Sequence, residues 1–175
     1  MSTAIGDSAP DFRLPTTDGG EVGLADLAGA PSVVAFWCNH CPYVRAWEER
    51  FNEIAREYGD RGVITVAICA NDATSHPGDS FENMVVRAEE AEYTFAYAHD
   101  ASQQVARAYG AERTPDVFVL DSAGRVTYHG AVDDSVEPDA VGSTYLRDAL
   151  DAALDDRAPA VTQTPPVGCT IKWSR

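Results

Sequence analysis

Ser32-Val-Val-Ala-Phe-Trp-Cys-Asn-His-Cys-Pro-Tyr-Val-Arg45 decides the fold of this 175-residue chain. Val33 to Trp37 is a continuous apolar run of strand length, the pattern of a strand buried on both faces. From Tyr43 to Tyr58 the apolar residues Val44, Trp47, Phe51, Ile54, Ala55 and Tyr58 recur at helical spacing, and Gly59 reads as the C-cap. Between the strand and the helix stand Cys38 and Cys41. Thiol chemistry follows thiolate content, and a helix N-terminus stabilises an anion. A Cys-x-x-Cys at such a junction is the sequence form of a redox dithiol.

Outward from this stretch, turn signals at Asp18-Gly19-Gly20 and Gly29-Ala30-Pro31 predict an N-terminal hairpin within residues 6 to 30. Val63 to Ala70 is a second β-branched run. Phe81 to Ala91 reads as a helix after a Pro77-Gly78-Asp79-Ser80 start, and Ala101 to Tyr109 as a shorter one ended by Gly110. Asp116 to Asp121 and Arg125 to His129 form a hairpin across Ser122-Ala123-Gly124. Thr144 to Leu154 is a last amphipathic helix. The order β-α-β-α-α-β-β-α implies an α/β fold, a central mixed sheet with helices on both faces. Residues 1–158 form the domain, and 159–175 a Pro-rich tail. The end of the tail, Val167-Gly-Cys-Thr-Ile-Lys-Trp173, is apolar enough to dock on the domain.

The formal charge is −15, from 28 acidic and 13 basic residues, and Lys172 is the only lysine. Phosphate repels such a surface, which argues against nucleic-acid partners and against anionic membranes. Two sources of the acidity stay open, adaptation to high salt and the acidic composition of a GC-rich genome. No apolar run nears the roughly 20 residues of a membrane helix. The first ten residues show neither a basic nor an apolar leader region, so a cytoplasmic location is expected. In that compartment four cysteines read as catalytic or metal-binding thiols and buried spectators, not as a disulfide scaffold.

The sheet order, the Cys-x-x-Cys after Val33–Trp37, and Thr114-Pro115 before Asp116–Leu120 together resemble the thioredoxin-like fold. Ala9-Pro10-Asp11-Phe12 and the N-terminal hairpin resemble its redoxin branch, which includes the thiol-specific antioxidant (AhpC/TSA-type) proteins. The resemblance spans roughly residues 6 to 155. Its pattern, Phe-Trp-Ala-x-Trp-Cys-x-x-Cys, aligns Phe36-Trp37 and puts Cys41 on the first, nucleophilic cysteine. Val44 then replaces the second, and Cys38 lies three residues upstream. Pro42, with its fixed φ and missing N–H, suits the first helical position and makes Cys41 the N-cap. That favours Cys41 as the attacking thiolate and Cys38 as its resolving partner. The reverse assignment stays open, by analogy with ordinary Cys-x-x-Cys oxidoreductases. The resemblance further makes Pro115 a cis-proline facing the dithiol. The backbone of Thr114 would then be free to pair with a substrate chain.

His40, inside the dithiol loop, supports neighbouring thiolates when protonated, or is a solvated loop residue. Arg45 supports an anionic sulfur, or pairs with Glu48 or Glu49. Cys69 reads as a buried spectator. Cys169 is a candidate additional resolving thiol, or a small core residue of a docked strand. His76, His99 and His129 carry no pattern. A zinc site needs paired knuckles that are missing here, so neither a metal nor an organic cofactor is expected. A metal-binding thioredoxin-like role is the weakest reading.

Two redox functions remain. One is thiol–disulfide oxidoreduction on protein or small-molecule disulfides, with a thioredoxin-type reductant. The other is a peroxiredoxin-like, antioxidant peroxidase with Cys41 as peroxidatic cysteine. Peroxidases of the family resemble Pro-x-x-x-Thr-x-x-Cys, and this chain has Val34 and Cys38 at the Pro and Thr positions. The first function is therefore preferred.

Overall fold

A computed structural model describes residues 2–175. The chain opens with an antiparallel hairpin, β1 (Arg13–Pro15) and β2 (Glu21–Gly23). It continues with β3 (Ser32–Trp37), α1 (Pro42–Gly59), β4 (Ile64–Cys69), α2 (Phe81–Glu90), β5 (Ala96–His99) and α3 (Gln104–Tyr109). Then follow β6 (Arg113–Thr114), β7 (Asp116–Leu120), β8 (Val126–Gly130), α4 (Tyr145–Leu154) and β9 (Cys169–Thr170). Five strands form one sheet in the order β5-β4-β3-β7-β8. β3, β4 and β5 run parallel, while β7 is antiparallel to both β3 and β8, so the sheet is mixed.

β3 lies at its centre, and none of its residues is more than 1% exposed. Alternate side chains feed two layers, as the two-residue period of a strand requires. Val33, Ala35 and Trp37 pack with Val44, Trp47 and Phe51 of α1, Met84 of α2, and Leu146 and Leu150 of α4. Val34 and Phe36 face the hairpin residues Leu14 and Val22, α3 through Val105 and Tyr109, and Ile171 of the tail. The helices thus cover both faces. No helix among the described residues is long and apolar enough to cross a membrane.

Three details differ from the pattern in the sequence. β5 has no counterpart in the sequence pattern: it is four residues at the sheet edge, Ala-Tyr-Ala-His, and alanine is a poor strand former. α1 runs through Gly59 and is capped by Asp60 in the right-handed helical region; the positive φ of the turn falls at Gly62. α3 begins at Gln104 and not Ala101, because Gln103 adopts φ +64° and the Asp100 carboxylate accepts the Ala106 N–H at 2.9 Å.

The chain returns after α4 and pairs its end with β6. β9 and β6 are antiparallel, with Arg113 opposite Thr170 and Thr114 opposite Cys169. The Ile171 N–H donates to the Glu112 carbonyl at 2.9 Å, and Ile171 is buried. The Arg107 guanidinium lies 4.3 Å from the centre of the Trp173 ring.

Candidate active site

β3 ends at Trp37, and the next four residues turn the chain into α1. Cys41 has φ −64° and ψ 127° and is the N-cap; Pro42 is the first helical residue, where its missing N–H costs nothing. No acidic residue stands in the first turn, so the positive end of the helix faces the sulfur without competition. Cys41 Sγ lies 3.3 Å from the Thr114 carbonyl oxygen, to which it donates only in its protonated form. Cys38 Sγ lies 3.3 Å from the Thr114 hydroxyl. Thr114 is buried and precedes Pro115 through a cis peptide bond. One residue, Thr114, therefore touches both sulfurs, one through its backbone and one through its side chain.

The two thiols differ sharply in acidity. Cys41 is brought down from an ordinary 9.0 to about 4, first by hydrogen bonding from the Cys38 thiol. Burial opposes this, while the Val44 N–H and the thiol and N–H of Cys169 assist. Cys38 moves upward, first because its proton is held in the bond to Cys41, then because it is buried and faces the Asp79 carboxylate. At neutral pH the pair thus holds one proton and one negative charge, with the charge on the sulfur at the helix start.

A buried polar cluster holds the loop between the cysteines. The Asn39 N–H donates to Asp79 Oδ1 at 2.7 Å, and its side-chain amide to the Gly78 carbonyl at 2.9 Å. The Tyr97 hydroxyl donates to Asn39 Oδ1 at 2.7 Å, and Asn71 Nδ2 to Asp79 Oδ2 at 2.9 Å. Asn39, Asn71, Asp79 and Tyr97 are all buried. None was singled out from the sequence. Asn39 sits in plain view inside the Cys-x-x-Cys, but its partners come from two distant segments, Gly78-Asp79 and Tyr97. Asp79→Ala leaves two buried N–H donors without an acceptor. Hydrogen bonds to a charged group are worth roughly 1.5–3 kcal/mol each, so a loss of about 3 kcal/mol is expected. In a chain of this size that lowers Tm by about 6–12 °C. A thermal melt of the variant checks this, and an unchanged Tm would remove Asp79 from its structural role.

The other candidate residues are placed as follows. His40 is exposed, with its ring against Gly78, where a Cβ would come within 2.5 Å of it. Arg45 Nε donates to the Asn39 carbonyl at 2.8 Å. Its anticipated partner Glu48 is buried and bound instead by Arg87 and the Tyr93 hydroxyl. Arg45 thus braces the dithiol loop from the helix side. Cys69 is fully buried and pushed up to about 12, chiefly by that burial. Cys169 is half-buried and shifted upward by burial and by its hydrogen bond to Cys41. His129 lies in β8, bonded to Asp116 at 2.7 Å and stacked on Phe118, away from the sulfurs.

Known proteins are similar to this chain in fold and in sequence. A crystal structure of an uncharacterized conserved protein from Geobacillus kaustophilus matches with TM-score 0.92 at 41% identity, over 98% of this chain and 93% of that one. The thiol-disulfide oxidoreductase ResA of Geobacillus thermodenitrificans is 30% identical over 125 residues, 71% of this chain and 68% of that protein. A thiol:disulfide interchange protein of the thioredoxin family from Chlorobium tepidum TLS has the same fold, with TM-score 0.68 at 21% identity over 87% of this chain and 99% of that one. The fold is thioredoxin-like, with an added N-terminal hairpin. The model of the AhpC/TSA family matches residues 5–129, and the chain belongs to that family.

Proposed function

We propose that this chain is a thiol–disulfide oxidoreductase working through the Cys38/Cys41 dithiol. The observation that carries the reading is the split acidity of two thiols that share Thr114: Cys41 near 4 beside a Cys38 that keeps its proton. The Cys41 thiolate attacks one sulfur of a substrate disulfide. A Cys41–substrate bond forms, the substrate S–S bond breaks, and the first substrate thiol departs as thiolate. Cys38 then gives up its proton and attacks the Cys41 sulfur. The second substrate thiol leaves, and a Cys38–Cys41 disulfide remains. A thioredoxin-type dithiol returns the two electrons. The relationship to ResA, a thiol-disulfide oxidoreductase by name, supports this chemistry.

The peroxidase reading is weaker on the same geometry. Val34 and Cys38 stand where the peroxidase pattern has Pro and Thr, and Arg45 is engaged with the Asn39 carbonyl. The test pairs insulin-disulfide reduction with peroxide consumption in the wild type and in Cys41→Ser. Disulfide reduction is expected in the wild type and none in Cys41→Ser. A mixed disulfide on Cys41 is expected to persist when Cys38 and Cys169 are both serine. Wild-type protein that consumes peroxide through Cys41 but reduces no disulfide would overturn the assignment in favour of the peroxidase.

A further inference from the structure

β6 is two residues long, and among the described residues its strand partner is β9, the chain's own tail. The pairing sets Cys169 directly opposite Thr114. Residues so paired across an antiparallel ladder have Cβ atoms about 4.5–5.5 Å apart. The Thr114 carbonyl oxygen also lies 3.3 Å from Cys41 Sγ. Any backbone laid along β6 in this register therefore presents its side chain to Cys41, and the chain presents a third cysteine. The fit is close. A Cβ on Gly168 would lie 2.1 Å from the Thr114 carbonyl oxygen, so only glycine lets the tail approach this far. Arg113 Nη1 donates to the Gly168 carbonyl at 2.8 Å on one side of Cys169, and Ile171 is buried on the other.

We propose that β9 is a tethered substrate: it fills the strand-pairing edge at Thr114, and Cys169 closes a disulfide with Cys41. This rests on Cys41 being the attacking thiolate, and it adds both a second resolving thiol, used when a small disulfide reacts with β9 in place, and the reason polypeptides meet a filled edge. The step balances. Cys41 first attacks a small disulfide, forming a Cys41–substrate bond and releasing one thiolate. Cys169 then loses its proton and attacks the Cys41 sulfur. The Cys41–Cys169 bond forms as the Cys41–substrate bond breaks, and the second thiolate leaves. The protein pair is oxidised by two electrons and the small disulfide is reduced by the same two.

Charge supports the order of events. In the resting protein Cys169 keeps its proton because of burial and because it faces the Cys41 anion. Once Cys41 is in a mixed disulfide that anion is gone, while Lys172 and Arg113 still favour a Cys169 thiolate. Cys38 also gains from the loss of the anion, but it stays buried beside Asp79, which keeps raising it. The tail holds Cys169 at the high effective concentration of an intramolecular partner. A polypeptide disulfide must first lift Gly168–Thr170 off β6, whereas a small disulfide does not have to.

The experiment treats Cys38→Ser protein with one equivalent of 5,5′-dithiobis(2-nitrobenzoate) and counts the aryl thiolate released. The expected result is two equivalents, with a Cys41–Cys169 link found by peptide mass spectrometry. Cys38→Ala must give the same count, and Cys38→Ser with Cys169→Ser must give one. Gly168→Val in the Cys38→Ser background keeps the first equivalent and loses the second, because the valine Cβ cannot fit against Thr114. Buried Cys69, pushed up to about 12, does not compete. One equivalent and a lasting aryl adduct on Cys41 in Cys38→Ser would overturn the proposal while leaving Cys41 as the nucleophile. No aryl adduct on Cys41 in Cys38→Ser with Cys169→Ser, where nothing can displace it, would overturn the assignment of Cys41 itself.

Discussion

The alkylation rate of Cys41 by iodoacetamide will stay level from pH 5 to pH 8, whereas an ordinary thiol accelerates about a thousand-fold over that range. The level profile follows from the position of Cys41 near 4, against an ordinary 9.0. At pH 5 about nine-tenths of Cys41 is already thiolate, so little remains to be gained on raising the pH. An ordinary thiol gains nearly tenfold per pH unit over the same interval. The profile discriminates where the absolute rate does not. Five units of acidity also cost nucleophilicity, roughly 200-fold for a Brønsted slope of 0.4–0.5. At pH 7 that nearly cancels the roughly hundredfold gain in thiolate fraction. Cys41 is also only 6% exposed, which scales its rates down equally at every pH. Cys38→Ala removes the largest cause of the shift, the hydrogen bond from Cys38, so the midpoint of Cys41 must rise and the profile must tilt. A wild-type rate that climbs tenfold per pH unit between 5 and 8 would show the sulfur protonated and end the enzymatic reading.

What the sequence revealed was whatever a local pattern encodes. The apolar run Val33–Trp37 and the helical spacing from Val44 to Tyr58 mark β3 and α1, and Pro42 fixes the junction at Cys41. These signals are strong because the sheet centre must be apolar on both faces and because proline tolerates few positions. β5 escaped because two of its four residues are alanines and its strand character is imposed by pairing with β4. The cause of the thiolate was only half legible. The helix start was visible, but the larger contribution is the Cys38 thiol, which depends on where a side chain points after the chain turns.

The same limit applies to Asp79 and Gly168. Pro77-Gly78-Asp79-Ser80 marks the entry to α2, and Ser80 does cap it through the Asn83 N–H at 3.2 Å. That the preceding Asp79 turns inward to hold Asn39 is a fact of tertiary packing. In the sequence Gly168 is one residue of the apolar tail Val167–Trp173, with no role of its own. Its role appears only when β9 lies on β6, because a two-residue strand leaves no periodicity to read.

The reduction potential of the protein will fall by about 30 mV per pH unit between pH 5 and pH 8, half the usual slope for a dithiol. Reducing a disulfide to two protonated thiols takes up two protons with two electrons, which gives about 59 mV per unit. Here Cys41 stays a thiolate above its value near 4, while its partner thiol keeps its proton. One proton then accompanies two electrons, whether the partner is Cys38 or Cys169. The sign follows from the same fact. Lowering the pKa of one thiol in the reduced form stabilises that form at every pH above about 4, so the disulfide becomes a stronger oxidant. At pH 7 the three units between 4 and neutrality correspond to about 4 kcal/mol, or roughly 90 mV relative to a pair with ordinary thiols. A shift of tens of millivolts up to that value is expected. Equilibration with dithiothreitol buffers at several pH values, followed by acid quench and thiol counting, measures both quantities. A slope near 59 mV per unit across this range would mean that Cys41 is protonated in the reduced protein, and the charge at the helix start, with the chemistry drawn from it, would have to be given up.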